Sequence, residues 1–179
     1  MTQMHLGQRI MIIGSGGAGK STLARQLGDT LGVPVIHLDA EYWRPGWVET
    51  PKEEWRRIVE SLAQRERWII DGNYGGTLPV RMAAADTIIL LDYPWPLCLW
   101  RVLIRILRYH GRSRPDIGPG CPERFDWEFI KWICIDFPRR SQVRTLQLLE
   151  QHGEGKQIII HHSPRHTRRL LTTLKETNG

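Results

Sequence analysis

A glycine-rich stretch in the first quarter of the chain combines residue types suited to holding a polyanion. Residues 14–21 read GSGGAGKS and fit the pattern G-x-x-x-x-G-K-[ST] at every fixed position. Glycines let backbone N–H groups converge on phosphate oxygens, and a following helix directs its N-terminus at the same anion. The stretch therefore predicts a nucleotide-phosphate loop (P-loop). Its expected nucleotide-binding residues are Gly14, Ser15, Gly16, Gly17, Ala18, Gly19, Lys20, Ser21 and Thr22.

The last residues of this loop carry separate expected roles. We expect Lys20 to reach the β- and γ-phosphates and Ser21 to ligate Mg²⁺. ATP and Mg²⁺ are therefore the expected cofactors. The pattern alone leaves open whether the protein hydrolyses the nucleotide, switches on it or transfers a phosphoryl group from it.

Arginines in the second half of the chain favour phosphoryl transfer. Three of them are spaced four and three residues apart, so they share one helix face, and two more follow in a segment rich in Gly and Pro. A positioned arginine can contribute about 10³–10⁵ in rate by stabilising the charge on a transferring phosphoryl group. The candidates are Arg101, Arg105, Arg108 and Arg112 as catalytic residues and Arg114 as a nucleotide contact. The alternative interpretation is a solvated basic helix face.

A second candidate site follows an apolar run at residues 33–39. Residues 37–47 read HLDAEYWRPGW, which is similar to the His/Ser-Leu-Asp-x-x-Tyr segment of uridine kinase-like enzymes. That resemblance implies that Asp39 lies beside the acceptor hydroxyl, where a carboxylate can orient the hydroxyl or accept its proton. Tyr42, Trp43 and Trp47 could stack on a base or sugar, and Arg44 is a further acceptor-site candidate. The alternative is a turn aspartate beside core tryptophans.

A third segment, IIDGNYGG, resembles the Asp-Gly that ends a strand in nucleoside monophosphate kinases. The resemblance implies that Asp71 holds Mg²⁺ through water and lies near the acceptor. Asn73 and Tyr74 stand here in place of the Phe-Pro-Arg of adenylate kinase, so the usual arginine is missing. Arg81, on the next helix, is the expected replacement cation in the acceptor site.

Apolar strands alternate with amphipathic helices, which predicts a parallel sheet covered on both faces. We expect strands at residues 9–13, 33–39, 68–71, 87–92 and 156–162. The fold class is α/β, a three-layer P-loop NTPase with a five-stranded parallel sheet, similar to nucleoside monophosphate kinases, with a helical and loop lid. Ligands bind at the carboxyl ends of such strands. Asp39, Asp71, Asp92 and His161 are expected there.

Local signals predict three further features. Thr50, Pro51 and Glu53 form an N-cap, first-turn proline and capping box for a helix. Residues 109–122 contain many Gly and Pro residues and predict a mobile loop. Two helices after this loop are expected to meet near Pro138.

Three segments together resemble the adenylate-kinase-like proteins named for DNA topology modulation (the FlaR-like family). They are HLDAEYWRPGW, WIIDGNYGGTLPVRMAAADTIILLDYP and GRSRPDIGPGCPERFDWEFIKWI, and the resemblance covers nearly all of the chain. It implies a P-loop kinase, with Ser163 placed where related kinases hold the adenine. The family name implies an effect on DNA supercoiling.

Composition limits the remaining possibilities. The chain has 179 residues and a net charge of +6, and residues 101–179 hold 15 of its 25 Lys and Arg residues. This basic half favours an anionic partner, either a nucleotide or a nucleic acid. An ATP-binding regulator of DNA and a simple ATPase are therefore the alternatives to a kinase. No helix-turn-helix, zinc finger or basic tail is evident, which disfavours the DNA partner.

The same composition predicts one domain, with an acceptor segment at about 39–66 and a lid at about 109–140. The three cysteines have no C-x-x-C pair, which is typical of reduced thiols in a cytoplasmic protein. The longest apolar stretch, within residues 87–107, is broken by charges and prolines, so no membrane span is expected. Both a monomer and a homodimer remain open.

Overall fold

The computed structural model describes residues 6–178, which form an α/β fold around one parallel sheet. The five strands of this sheet have the order β2-β5-β1-β6-β7. Their bounds are Arg9–Gly14 (β1), Val35–His37 (β2), Trp68–Asp71 (β5), Thr87–Leu91 (β6) and Gln157–His161 (β7). All four pairings between neighbouring strands are parallel, so the predicted fold class is confirmed.

The helices cover both faces of the sheet. In chain order they are α1 (Lys20–Leu31), α2 (Leu38–Tyr42), α3 (Lys52–Ala63), α4 (Leu78–Ala84), α5 (Trp95–Tyr109), α6 (Trp127–Lys131), α7 (Gln142–His152) and α8 (Pro164–Asn178). A short 3₁₀ turn, Gly75–Thr77, precedes α4. No helix within residues 6–178 is long and apolar enough to cross a membrane.

Alternation along the strands divides the core into two layers, because successive side chains point to opposite faces. Ile10 and Ile12 of β1 pack with α1, α5 and α8 on one face. Met11 and Ile13 pack with α3, α4 and α7 on the other. The three-layer arrangement therefore follows from the central strands β1, β5 and β6, whose interior positions are all apolar and buried, which is the pattern of a sheet covered on both sides.

Several predicted boundaries are wrong in detail. The second strand ends at His37, so Asp39 lies in α2 rather than at the end of a strand. The strand β6 ends at Leu91, one residue before Asp92. The Thr50 capping box is also wrong: α3 begins at Lys52, and the Thr50 hydroxyl donates to the carbonyl of Tyr42 at 2.6 Å.

Two features were not predicted. A two-stranded antiparallel hairpin, β3 (Trp43–Arg44) and β4 (Val48–Glu49), follows α2. The helices α6 and α7 are joined by a π-helical segment, Trp132–Ser141, that contains Pro138, so they do not meet at a break. Proline lacks an N–H and clashes with the preceding turn of an α-helix, and a wider helical turn accommodates it.

Candidate active site

A cleft of about 1050 Å³ opens at the carboxyl ends of the central strands. One side, which we call the P-loop wall, consists of Gly16–Thr22 with Tyr93, Arg101, Thr167 and Arg168. The opposite side, the hairpin wall, consists of His37, Asp39, Trp43, Trp47, Asp71 and Tyr74. Residues 110–126, called the lid loop below, contribute Arg114, Asp116, Ile117, Glu123, Arg124 and Asp126. The predicted nucleotide loop and the predicted acceptor residues thus face one another.

The P-loop wall requires glycine at defined positions. Gly17 has φ 80°, and a Cβ added there would lie 2.2 Å from the carbonyl oxygen of Cys98 on α5. Gly14 has φ 147°, and its added Cβ would lie 2.5 Å from the carbonyl oxygen of Leu91. Positive φ values and this close approach exclude larger residues. The glycines therefore let the loop pack closely against the backbone of β6 and α5.

Lys20 is the first residue of α1, and its side chain folds back so that the ammonium group contacts the P-loop. Its Nζ donates to the carbonyl oxygens of Gly14 and Ser15, both at 3.0 Å. Burial lowers the pKa of Lys20, while the charges of Asp39 and Asp71 act in the opposite direction. The Ser15 hydroxyl is buried and has no hydrogen-bond partner among residues 6–178. Lys20 lines the cleft and Ser15 does not, so only the ammonium group of Lys20 borders the space open to a ligand.

Asp71 and His37 form a pair at the ends of two adjacent strands. They are register partners in the sheet, and His37 Nδ1 lies 2.8 Å from Asp71 Oδ1. Burial alone would lower the pKa of His37, but the hydrogen bond and charge of Asp71 outweigh it and raise that pKa. Asp71 is 3% exposed and borders the cleft. The pair holds the carboxylate in a fixed orientation toward the P-loop wall.

Oxygen ligands suited to Mg²⁺ lie on both sides of this point. Ser21 and Asp71, the predicted metal residues, both line the cleft, as does Asp116 of the lid loop. The charge of Arg114 outweighs burial and lowers the pKa of Asp116. Hydroxyl and carboxylate oxygens are the donors that Mg²⁺ prefers. The residues present therefore fit the metal.

Asp39 is held by a tyrosine. The hydroxyl of Tyr74 donates to Asp39 Oδ1 at 2.8 Å, and burial together with the charge of Asp39 raises the pKa of Tyr74. Tyr74 has φ 39°, in the left-handed region, which a non-glycine residue adopts at a cost. Its ring packs on Tyr42 and Trp55, with both centroids 4.8 Å away. This packing compensates the backbone strain and fixes the position of the hydroxyl.

Asn73 connects the two walls. Its side-chain oxygen accepts from the Gly14 N–H at 3.0 Å, and its side-chain nitrogen donates to the Gly14 carbonyl at 2.6 Å. Asn73, which follows the Asp71-Gly72 turn, thus fixes the backbone of Gly14, the first residue of the P-loop. Sequence analysis gave Asn73 no role, although it follows the predicted metal residue by only two positions.

Arg81 does not lie where the sequence suggested. It is fully buried and donates to the carbonyl oxygens of Gly72, Asn73 and Tyr74, outside the lining of the cleft. Burial lowers its pKa to about 9, which still leaves the guanidinium charged at neutral pH. The predicted acceptor contact is therefore corrected. The guanidinium N–H groups of Arg81 already donate to the carbonyl oxygens of the loop behind the hairpin wall, so Arg81 stabilises that loop.

The arginines on α5 share one face, as predicted, and line the cleft. Arg101 donates to the carbonyl of Ala18 at 3.2 Å and lies 5.6 Å from the centre of the Tyr93 ring. Arg105 donates twice to Glu123, at 3.1 and 2.9 Å. Arg108 lies near the mouth of the cleft and is exposed. Arg112 is exposed and is not among the residues that line the cleft. Its backbone carbonyl accepts a hydrogen bond from the N–H of Glu123, which joins the two ends of the lid loop.

Arg114 reaches the cleft in a network of charges. It lies 2.9 Å from Asp116, and its Nε lies 2.6 Å from Oε2 of Glu123. Glu123 is 5% exposed, so one buried carboxylate holds both Arg105 and Arg114. Sequence analysis missed Glu123, His37, Tyr74 and Asp116. Only their proximity in sequence to predicted site residues, or their place in the predicted lid, could have indicated them.

The lid loop is fastened to the hairpin. Gly46 N–H donates to the Gly120 carbonyl at 2.8 Å, Trp47 Nε1 donates to the Pro122 carbonyl at 3.0 Å, and the Cys121 thiol donates to the Arg44 carbonyl at 3.2 Å. Three consecutive lid residues, Gly120, Cys121 and Pro122, are thus hydrogen-bonded to β3 and to the turn that follows it. These contacts close the cleft from above.

The remaining predicted acceptor residues divide into two groups. Trp43 and Trp47 line the cleft, with ring centroids 5.4 Å apart. Tyr42 packs behind them against Trp55, and Arg44 faces outward, where it pairs with Glu54. The structure thus brings two of the four side chains to the cleft.

Past β7, the P-loop wall ends in a small polar network. Thr167 lies 2.5 Å from the Tyr93 hydroxyl and 2.8 Å from His161 Nδ1. Pro164, Thr167, Arg168 and Leu171 line the cleft at this end. Ser163, the predicted adenine contact, is not among the lining residues.

Comparison with known proteins identifies the fold. Shikimate kinase from Acinetobacter baumannii in complex with shikimate superposes with a TM-score of 0.52 at 16% identity, over 92% of this chain and 89% of that chain. Shikimate kinase from Bacteroides thetaiotaomicron gives a TM-score of 0.48 at 18% identity, over 94% and 96% of the two chains. A gluconokinase from Sinorhizobium meliloti 1021 gives 0.49 at 12% identity, over 97% and 93%.

At these identities, the likeness to the Acinetobacter structure shows a shared fold and nothing finer. No protein-family model and no curated protein matches the sequence. The resemblance to the FlaR-like family accordingly stays a prediction, as do the division into acceptor and lid segments and the roles of the individual site residues.

Proposed function

We propose that this protein is a kinase that transfers the γ-phosphoryl group of ATP to a hydroxyl of a small molecule. One observation carries the proposal: the buried Lys20 of the P-loop and the carboxylate of Asp39 border one cleft, with Asp71 and arginines around it. A nucleotide-hydrolysing site needs no second wall of this kind. The fold shared with shikimate kinase from Acinetobacter baumannii supports the same conclusion.

In this proposal the P-loop wall holds ATP. The backbone N–H groups of Gly16–Thr22 and the ammonium group of Lys20 bind the β- and γ-phosphates. Tyr93, Thr167 and Arg168 border the place of the nucleoside. Mg²⁺, bound by the Ser21 hydroxyl and through water by Asp71, would neutralise phosphate charge.

The hairpin wall holds the acceptor. Asp39, fixed by Tyr74, orients the acceptor hydroxyl and takes up its proton as the oxygen attacks the γ-phosphorus. The bond from the γ-phosphorus to the bridging oxygen breaks, and ADP leaves with that oxygen. Arg101 and Arg105 stabilise the charge that spreads over the transferring group. The lid loop excludes water, which keeps the phosphoryl group from hydrolysis.

The experiment that tests this function uses ATP labelled in the γ-phosphate, with Mg²⁺ and a panel of nucleosides, nucleoside monophosphates and sugars. We expect label to appear in an acceptor, and Lys20→Ala to lower the rate by about 10²–10³. Lys52→Ala is the matched control, because Lys52 is exposed at the start of α3. Label released only as inorganic phosphate with every acceptor would contradict the kinase and favour a simple ATPase. Salt-sensitive DNA binding without transfer would favour the DNA regulator.

A further inference from the structure

One buried carboxylate of the lid loop contacts two of the arginines that line the cleft. We propose that Glu123 is a positioning residue, which fixes Arg105 and Arg114 as a paired clamp for the terminal phosphate of the bound nucleotide. This inference rests on the kinase function proposed above. It adds to that function a residue that acts on the nucleotide only through the two guanidinium groups.

The carboxylate of Glu123 gives one oxygen to each arginine. Its Oε1 accepts from Nε and Nη2 of Arg105, at 3.1 and 2.9 Å. Its Oε2 lies 2.6 Å from Nε of Arg114, whose Nη1 donates to Asp116 at 2.9 Å. Each planar guanidinium is therefore held at two of its three nitrogens, which fixes the orientation of the third.

The third nitrogen of each guanidinium is left for a ligand. Within residues 6–178, no hydrogen bond joins Nη1 of Arg105 or Nη2 of Arg114 to another group. Neither nitrogen is among the buried side-chain atoms that lack a partner, so solvent reaches both of them. Because both side chains line the cleft, a phosphate in the cleft could accept hydrogen bonds from these two nitrogens.

The clamp lies beside the P-loop. The guanidinium carbon of Arg105 is 5.6 Å from the centre of the Phe129 ring, and a Cβ added to Gly16 would lie 2.5 Å from Cζ of that ring. Burial lowers the pKa of Lys20, and the charge of Arg105 acts in the same direction. The clamp is therefore close to the ammonium group that we expect to bind the β- and γ-phosphates.

Glu123 is also what allows two guanidinium groups to lie together in a buried place. Burial and the charge of Arg114 lower the pKa of Arg105, whereas the charge and hydrogen bonds of Glu123 act in the opposite direction. The backbone of Glu123 is fixed, because its N–H donates to the Arg112 carbonyl and its carbonyl accepts from the Gly111 N–H. The clamp is thus assembled before a nucleotide binds, so binding requires little reorganisation.

The charges of the clamp balance one another. Two arginines are paired with two carboxylates, those of Glu123 and Asp116. The clamp therefore acts through the direction of its two unused N–H groups rather than through a net positive charge. It follows that the position of the Glu123 carboxylate should matter, and not only its charge.

Binding measurements test this role without phosphoryl transfer. Calorimetry in the presence of Mg²⁺ gives the dissociation constants of ADP and of AMP-PNP, a non-hydrolysable ATP analogue, and their ratio reports the contribution of the terminal phosphate. Glu123→Asp keeps the charge and withdraws the carboxylate from the arginines. We expect it to lower the preference for AMP-PNP over ADP about 10-fold, the value of one hydrogen bond to a charged group, with the ADP affinity within about two-fold of wild type.

Melting temperatures of the same variants separate positioning from folding. Glu123→Gln keeps the shape of the side chain and removes its charge, and we expect it to lower the preference for AMP-PNP as well. Glu128→Asp is the matched control, because Glu128 is exposed on α6 and lies outside the cleft lining. A lower melting temperature of Glu123→Asp with an unchanged preference would assign Glu123 a purely structural role and overturn the inference.

A double variant tests whether Glu123 acts through Arg105. Arg105→Lys keeps the charge and loses the planar fork. We expect the double variant Glu123→Asp/Arg105→Lys to lose less preference for AMP-PNP than the product of the two single losses, because residues that act together are not additive. Multiplicative losses would contradict the inference. Transfer to an acceptor with unchanged binding ratios would overturn this inference alone, whereas altered ratios without transfer to any acceptor would support it and contradict the kinase function.

Discussion

The P-loop wall and the hairpin wall are built in different ways. The P-loop wall centres on one continuous stretch, Gly16–Thr22, between β1 and α1. The hairpin wall combines residues near 37–47 with residues 71–74, and the lid loop at 110–126 closes over it. The phosphate loop of the first wall is therefore determined mainly by local sequence, although Asn73 and Arg101 hydrogen-bond to it from other segments. The second wall is assembled from distant segments.

The two walls are also held in place by different kinds of contact. Gly17 and Gly14 fit the P-loop against neighbouring backbone through their own conformations. Asp39 relies on Tyr74, and Arg105 and Arg114 rely on Glu123, across separations of 35, 18 and 9 residues. A substitution in these supporting residues should impair the hairpin wall and the lid while leaving the P-loop intact.

The largest effect of this kind is expected at Glu123. Glu123→Ala leaves Arg105 and Arg114 without their shared partner, so we expect the free energy of unfolding to fall by about 3–5 kcal/mol. Urea denaturation measures this change. Glu150→Ala, on the exposed surface of α7, is the control. A loss below about 1 kcal/mol would show that the network does not stabilise the lid.

A smaller effect is expected at Tyr74. Tyr74→Phe removes the hydrogen bond to Asp39 and keeps the ring, so we expect kcat to fall about 10-fold, the value of a hydrogen bond to a charged group. Steady-state rate assays at saturating ATP measure this change in kcat. Tyr42→Phe tests specificity, because Tyr42 packs on the same rings without contacting Asp39. Equal losses in both variants would assign the effect to packing.

The smallest effect is expected at Arg44, on the outer side of the hairpin. Its pair with Glu54 is about half exposed, with side-chain exposures of 46% and 49%, and such pairs contribute about 1 kcal/mol or less. Arg44→Ala should leave kcat and the acceptor KM within about two-fold of wild type. A tenfold rise in the acceptor KM of Arg44→Ala would contradict this prediction and would indicate that Arg44 binds the acceptor.

The contrast between contiguous sequence and distant contacts also explains which features could be predicted from the sequence. The P-loop and the parallel sheet follow from a contiguous motif and from apolar periodicity, so both are confirmed as structure. The hairpin and the π-helical segment are local elements that the sequence analysis did not predict. The network around Glu123 and the contact between Tyr74 and Asp39 join separate segments, which no local pattern encodes. Arg81 shows the limit clearly: its position in the chain suggested an acceptor contact, and only the fold reveals that three carbonyls occupy its donors.

The central claim is that Asp39 acts on the acceptor across the cleft from Lys20. The most direct measurement compares kcat with the dissociation constant of ATP in Asp39→Asn, with Asp29→Asn as a control on the exposed surface of α1. The account predicts that kcat falls by about 10²–10⁴ while ATP binds with nearly unchanged affinity. Loss of ATP binding in Asp39→Asn, or an unchanged kcat, would contradict it.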